Sequence, residues 1–170
     1  MDSARKDIQA DLRELAFTMG WPDVVIDQIA PLAERIVCPA GAVIFRSGEI
    51  NEKIYLIQSG HVALEMPVPA RGRVRLLTLA RGELLGWSPL LGNREMTATA
   101  MALEETRLLT ISGTALQALC RANCEIGFVV MEHVAEALSR RLVATRLQLL
   151  DLFSRSPPEV AAASTGGPPR

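Results

Sequence analysis

From Arg35 to Ile111 the apolar residues arrive in short runs, and nearly every run is cut by a turn of glycine, proline or charge. Residues 36–38 stop at Pro39-Ala40-Gly41, residues 43–46 at Ser47-Gly48-Glu49, and residues 53–57 at Ser59-Gly60. Residues 62–68 alternate towards Pro67 and Pro69, and residues 74–79 close on Arg81-Gly82. After the 81–91 stretch come residues 97–103 and 106–111, with Glu104-Glu105 turning between them. Runs this short cannot become helices of ordinary length, and their regular spacing predicts an all-β sandwich or barrel.

Helical periodicity flanks this region. Leu12, Leu15, Ala16 and Met19 predict a helix over 10–20 that ends at Gly20. Trp21-Pro22-Asp23 opens a second helix with proline in its first turn, Val25, Ile26, Ile29 and Leu32 on its apolar face, and a break at Pro31. Ser112-Gly113-Thr114 opens a third, to about Arg121. The last begins near Cys124 or Glu125 and runs to Phe153, with neither proline nor glycine after Gly127. Along it Met131, Ala135, Leu138, Leu142, Thr145, Leu149 and Leu152 recur at alternating spacings of four and three, a coiled-coil seam. A second stripe, Val130, Val134, Ala137, Leu147 and Leu150, is expected to pack on the β region. A helix with two apolar faces is shared with a second copy more readily than it lies on its own domain, so a homodimer through this helix is expected.

Composition narrows the function classes. The net charge of −1 draws the chain neither to nucleic acid nor to anionic lipid. The N-terminus lacks the apolar core of a secretory signal, and no apolar stretch is long enough to span a bilayer, so a cytoplasmic location without membrane contact is expected. Cys38, Cys120 and Cys124 with His61 and His133 are scattered, which argues against a structural metal site. The two histidines stand apart, one in the β region and one on the long helix, without the His-x-His of a metal-binding β-barrel enzyme. No nucleophile–base pairing has supporting context either, so no catalytic residue is assigned and no enzyme is expected.

The stretch that carries chemistry is Arg81-Gly82-Glu83-Leu84-Leu85-Gly86-Trp87-Ser88-Pro89-Leu90-Leu91, followed by residues 92–100. Glycine admits positive φ, and successive N–H groups in such a turn form an anion nest. Glu83 is then placed to accept from a sugar hydroxyl. The alternative is a tight corner with an exposed glutamate.

This stretch resembles the phosphate-binding cassette of cyclic-nucleotide-binding domains, the regulatory β-rolls of catabolite-activator-type transcription factors, kinase regulatory subunits and ion channels. Residues 39–49 are similar to that family's first hairpin and residues 54–62 to its next corner, so the resemblance covers about 25–153. It implies a mainly β fold, a jelly-roll-like β-roll with flanking helices and a long C-terminal dimerisation helix. The divisions it implies are helices over 1–33, the roll over 34–112 with its cassette at 81–100, helices over 113–153, and a disordered tail over 154–170. It also implies a ligand set of Gly82, Glu83 and Leu84, with Thr97 near the cassette's end and Thr145 reaching from the dimer helix. Met96 stands where the family places the arginine that pairs with the cyclic phosphate. Either Arg94 or Arg146 substitutes for it, or both are solvated surface residues. Trp87 stands where many members carry a smaller residue, and either packs as core or partly fills the pocket. The tail of Pro, Ala, Gly and Ser leaves no room for the helix-turn-helix of the family's transcription factors, so direct DNA contact is not expected.

The expected function is therefore a regulatory module that binds a small anionic ligand, with cyclic AMP or cyclic GMP as candidates and no resident cofactor. It signals through its dimer helix to an unidentified protein partner. The alternative is a ligand-free dimerisation or docking module whose pocket has degenerated at Met96.

Overall fold

The computed structural model describes residues 2–69, 72–92 and 94–155. Two helices lead in, α1 (Asp2–Glu14) and α2 (Asp23–Ile29), followed by a 3-10 turn at Ala30–Leu32. Eight strands follow: β1 (Ala33–Cys38), β2 (Val43–Phe45), β3 (Lys53–Ser59), β4 (Val62–Val68), β5 (Gly72–Leu79), β6 (Leu84–Leu85), β7 (Thr99–Ala102) and β8 (Thr106–Ser112). The chain then turns through α3 (Gly113–Ala122) into α4 (Cys124–Arg155).

The strands form two four-stranded antiparallel sheets, in the orders β1-β8-β3-β6 and β2-β7-β4-β5. Strand side chains alternate between faces, and this period divides the core in two. Tyr55 and Ile57 of β3 and Leu108 of β8 point between the sheets, to meet Val62, Leu64, Leu79 and Phe45. Ile54, Leu56, Leu109 and Ile111 point the other way, onto Leu12, Leu15, Val25 and Ile29 of the leading segment and Val130 and Val134 of α4. β3 is buried on both faces, which is why residues 54–57 read as an unbroken apolar run.

The leading helix differs from its periodicity. Its span is 2–14, and residues 15–20 are turn. The Thr18 hydroxyl donates to the Leu12 and Leu15 carbonyls, and the Phe17 N–H leaves the helix register to donate to Gly82 O at 3.0 Å. That tertiary bond outweighs the helical pattern of Leu15, Ala16 and Met19. The second helix begins at Asp23 after Pro22, and Pro31 falls in the 3-10 turn, both as expected.

α4 spans 32 residues, about 48 Å at ~1.5 Å per residue. Its roll-facing stripe holds Ile126, Val130 and Val134, which are buried, and half-buried Ala137. Leu147 and Leu150 do not join it, being 61% and 64% exposed. Thirteen residues at ~100° each carry Leu147 about 140° away from Val134, so the expected second stripe breaks after Ala137. No helix among the described residues is long and apolar enough to cross a membrane. The expected disordered tail lies, beyond Arg155, outside the described residues.

Gly82 holds the corner before β6. Its φ is +84°, and an added Cβ would stand 2.7 Å from the Ala16 nitrogen. Gly82→Ala is expected to cost about 2 kcal/mol through strain and displacement of the 15–20 turn, read as a lowered midpoint in urea denaturation. An unchanged midpoint contradicts this role.

Candidate functional site

The Gly82-Glu83 corner is bound into the protein's own backbone. Gly82 N–H donates to Ile57 O at 2.7 Å, Glu83 N–H donates to Ala80 O at 3.2 Å, and Glu83 O accepts from Ile57 N–H at 3.1 Å. The Glu83 carboxylate folds back to accept the Ala80 N–H at 2.8 Å. The two donors expected to form an anion nest are therefore occupied, and the exposed Glu83 side chain caps its own turn. The tight-corner alternative describes this geometry.

Beyond the corner, β6 pairs Leu84 and Leu85 with Leu56 and Tyr55 of β3. This two-residue strand is absent from the sequence reading, because two leucines carry no period. Gly86 follows with φ +70°, where a Cβ would stand 3.1 Å from both Lys53 O and the Tyr55 ring. Here the chain enters a small cavity of about 30 Å³ that Gly86, Trp87 and Ser88 share with Met96, Thr97 and Leu64. Glu83 does not line it. The structure thus separates the expected ligand set: Gly82, Glu83 and Leu84 belong to one cavity, and Met96 and Thr97 to another.

Met96 is core. It is 3% exposed, packs with Phe45, Tyr55, Leu64 and Leu85, and is fixed by Met96 N–H to Glu49 O at 3.0 Å and Gly48 N–H to Met96 O at 2.7 Å. Asn51 stands over its sulfur at 3.8 Å while accepting the Tyr55 hydroxyl at 3.0 Å. A cavity of 30 Å³ beside these apolar walls has room for about one water.

Neither expected arginine enters the site. Arg94 is on the surface, paired with Glu52 at 2.7 Å, and Arg146 is exposed. The Thr145 hydroxyl donates to Arg141 O one turn back at 2.9 Å. The cation that does enter is Arg141, which the sequence reading missed. Its Nη2 donates to Leu84 O at 2.7 Å, and its guanidinium carbon lies 4.5 Å above the Trp87 ring. Burial pushes its pKa down, and the Glu83 carboxylate partly offsets that. Its Nη1 is buried and meets no hydrogen-bond partner among the described residues. The signal was available: Val130, Val134, Ala137, Arg141 and Ala144 alternate spacings of four and three, with one charge in an apolar stripe.

Arg141 is also a wall of a second, larger cavity of about 480 Å³ between β5, the Gly82 corner and α4. Ala16, Phe17, Leu77, Leu79, Ala137 and Ala144 line it, with Glu83 and Arg140. The Arg141–Trp87 stack stands between the two cavities, each of which counts Arg141 in its wall. Elsewhere, His61 pairs with Glu104 on the surface at 2.6 Å, and His133 Nδ1–H donates to Phe17 O at 2.7 Å. Burial raises the pKa of the Cys38 and Cys120 thiols. No three metal-ligating side chains converge among the described residues.

Two antiparallel sheets with a long helix over a groove form a β-roll. The sequence profile described as "Cyclic nucleotide-binding domain" matches residues 35–123, and the chain belongs to that family. It is 33% identical over 129 residues to the "Cyclic AMP receptor protein" of Thermus thermophilus, covering 76% of this chain and 57% of that one. It is 30% identical over 115 residues to a "Cyclic nucleotide-gated potassium channel" of Mesorhizobium japonicum, covering 68% of this chain and 30% of the channel. Among solved structures, the Thermus thermophilus catabolite activator protein superposes with a TM-score of 0.65 at 32% identity, over 81% of this chain and 62% of that one. The chain thus spans little more than half of the first of these curated relatives and less than a third of the second.

Met96→Arg tests the character of the small cavity. A guanidinium there is buried among Phe45, Leu64 and Leu85 and is expected to cost about 3 kcal/mol of folding stability. Urea denaturation reads it, and undiminished stability contradicts the core assignment.

Proposed function

We propose that this chain is a regulatory module that takes a small organic anion beneath α4, with Arg141 as its counter-ion, and reports occupancy through that helix. One observation carries the reading: a guanidinium on α4, in the wall of both cavities, whose Nη1 is buried without a hydrogen-bond partner among the described residues. A partly buried cation with one nitrogen left unpaired is costly, and an anion that reaches it lowers the free energy of the arrangement that binds it. Ligand then shifts the population of α4 positions, and a partner reads the difference. Cyclic AMP and cyclic GMP are the first candidates, because relatives are named for cyclic nucleotides. The module is regulatory, not catalytic, and its roll (34–112) serves the flanking helical segments.

The partner-facing surface on this reading is the seam of α4. Met131 and Leu142 are exposed, at 40% and 52%, Ala135 is exposed, and Leu138 is half-buried against the roll. Phe128, 69% exposed, extends the seam three residues earlier. The side chains of Leu149 and Leu152 lie outside those described. Such a stripe fits a parallel pair of helices from two copies. A second protein that reads the pair, without DNA or membrane contact, completes the proposal.

The ligand-free docking module is the second reading. It is favoured by the 30 Å³ cassette cavity, walled by Met96 and Trp87.

Two experiments follow. In a thermal-shift and calorimetric panel of small anions beginning with cyclic AMP and cyclic GMP, at least one is expected to raise Tm saturably. Arg141→Ala is expected to weaken that binding about a hundredfold, the loss of one charge-assisted pair. No shift with any anion leaves the docking reading. In sedimentation, the chain is expected to run as a dimer and Leu142→Glu as a monomer with unchanged circular dichroism; a monomeric parent chain contradicts the seam.

A further inference from the structure

We infer that the 480 Å³ cavity takes a monocarboxylate with an apolar body, a ligand class distinct from the cyclic nucleotides; the inference rests on the anion reading above and narrows it. Volume, charge and donor geometry agree on this class. The cavity is of ordinary ligand-site size, and its walls are small or apolar side chains from three directions: Ala16 and Phe17, Leu77 and Leu79, Ala137 and Ala144. Thr78, Glu83 and the two arginines are the polar members of the lining, and the rest of the wall matches an apolar body.

The charges lining it are Arg140, Arg141 and Glu83. Arg140 is exposed and stands 3.5 Å from Glu136, so it belongs to the rim. Glu83 beside Arg141 disfavours a second negative charge on the ligand. One anionic group is therefore matched, and a doubly charged phosphate is not.

Donor geometry limits what an anion can meet here. Phosphoryl groups are held by several convergent N–H groups, as in a nest. Here the Gly82 and Glu83 N–H groups are bonded to Ile57 O and Ala80 O. What remains is the Arg141 fork, with Nη2 on Leu84 O and Nη1 unpartnered. Two adjacent guanidinium N–H groups fit two oxygens of a carboxylate or of a phosphate, so the carboxylate class rests on the bonded Gly82 and Glu83 N–H groups and on the apolar walls. Binding on this inference requires Arg141 to leave the Trp87 face and the Leu84 carbonyl and turn its fork into the larger cavity. The carboxylate then occupies the Arg141 end, and the apolar body lies along Leu77, Leu79 and Ala144.

The test uses the full chain and four probes: 4-phenylbutyrate, the uncharged 4-phenylbutanol, 4-phenylbutyl phosphate and cyclic AMP. Calorimetry is expected to show saturable binding of 4-phenylbutyrate at least tenfold tighter than of the alcohol or the phosphate. Ala144→Phe, which fills the cavity from α4, is expected to abolish it, with folding checked by circular dichroism. Arg141→Lys, which keeps the charge but loses the fork, is expected to weaken it tenfold. Equal binding of acid and alcohol overturns the ion pair, and the anion reading with it. Binding of cyclic AMP or the phosphate without 4-phenylbutyrate overturns the carboxylate class and leaves the anion reading standing. Binding of 4-phenylbutyrate that survives Ala144→Phe overturns the assignment to this cavity. Failure of all four probes, and of the wider anion panel, overturns both.

Discussion

The peptide of Phe17 joins the three parts of this molecule. Its N–H donates to Gly82 O at the corner before β6, and its carbonyl accepts from His133 on α4. The ring packs edge-on against Trp21 and His133, with centroids 5.7 and 6.1 Å away. One residue of a turn thus spans the roll, the leading helices and the long helix. The positive φ at Gly82 is what allows that approach, because any side chain there meets Ala16. The large cavity opens directly beside this junction, with Ala16, Phe17 and Gly82 in its wall.

From that junction the chemistry of the groove follows. In this chain Met96 is an apolar core residue of the cassette, Arg94 pairs with Glu52 on the surface, and the cation at the cavities comes from α4. A cation on the roll would report a ligand to the roll alone. A cation on α4 links ligand and helix directly, since whatever pairs with Arg141 changes the bond to Leu84 O and the stack on Trp87. The same helix presents its apolar seam roughly a third of a turn away, so the proposed binding and the proposed association share one helix. Coupling of that kind needs only a difference in affinity between two positions of α4.

Much of the fold was legible because strand periods and turn chemistry are local. Glycine and proline mark the ends of most strands, and β4 ends where alternation ends at Pro67 and Val68. Three separated motifs in the right order gave the family. What was not legible depends on tertiary contact. Residues 15–20 carry helical spacing, but the Phe17 N–H goes to Gly82 O and the Thr18 hydroxyl to Leu12 and Leu15 carbonyls. That Glu83 accepts the Ala80 N–H depends on the corner's fold and cannot be read from its place after Gly82. Met96 reads as a lost arginine, yet in three dimensions it is a core residue that closes its cavity. Arg141 was hidden by the attention that motif spacing draws to the cassette, although its place in an apolar stripe was visible. Leu147 and Leu150 show the reverse error, an apolar spacing assigned to a face that ~100° per residue does not reach.

The account turns on Arg141 as the ligand's counter-ion, and arginine side-chain NMR measures this directly. With the guanidinium resonances assigned by substitution, the chain is titrated with 4-phenylbutyrate and with cyclic AMP. The account predicts that the Arg141 resonances move saturably with the anion that binds, as the bond to Leu84 O and the stack on Trp87 are exchanged for a ligand contact, while those of Arg94 and Arg146 stay in place. Saturable binding with Arg141 silent, or with Arg94 or Arg146 moving instead, contradicts it.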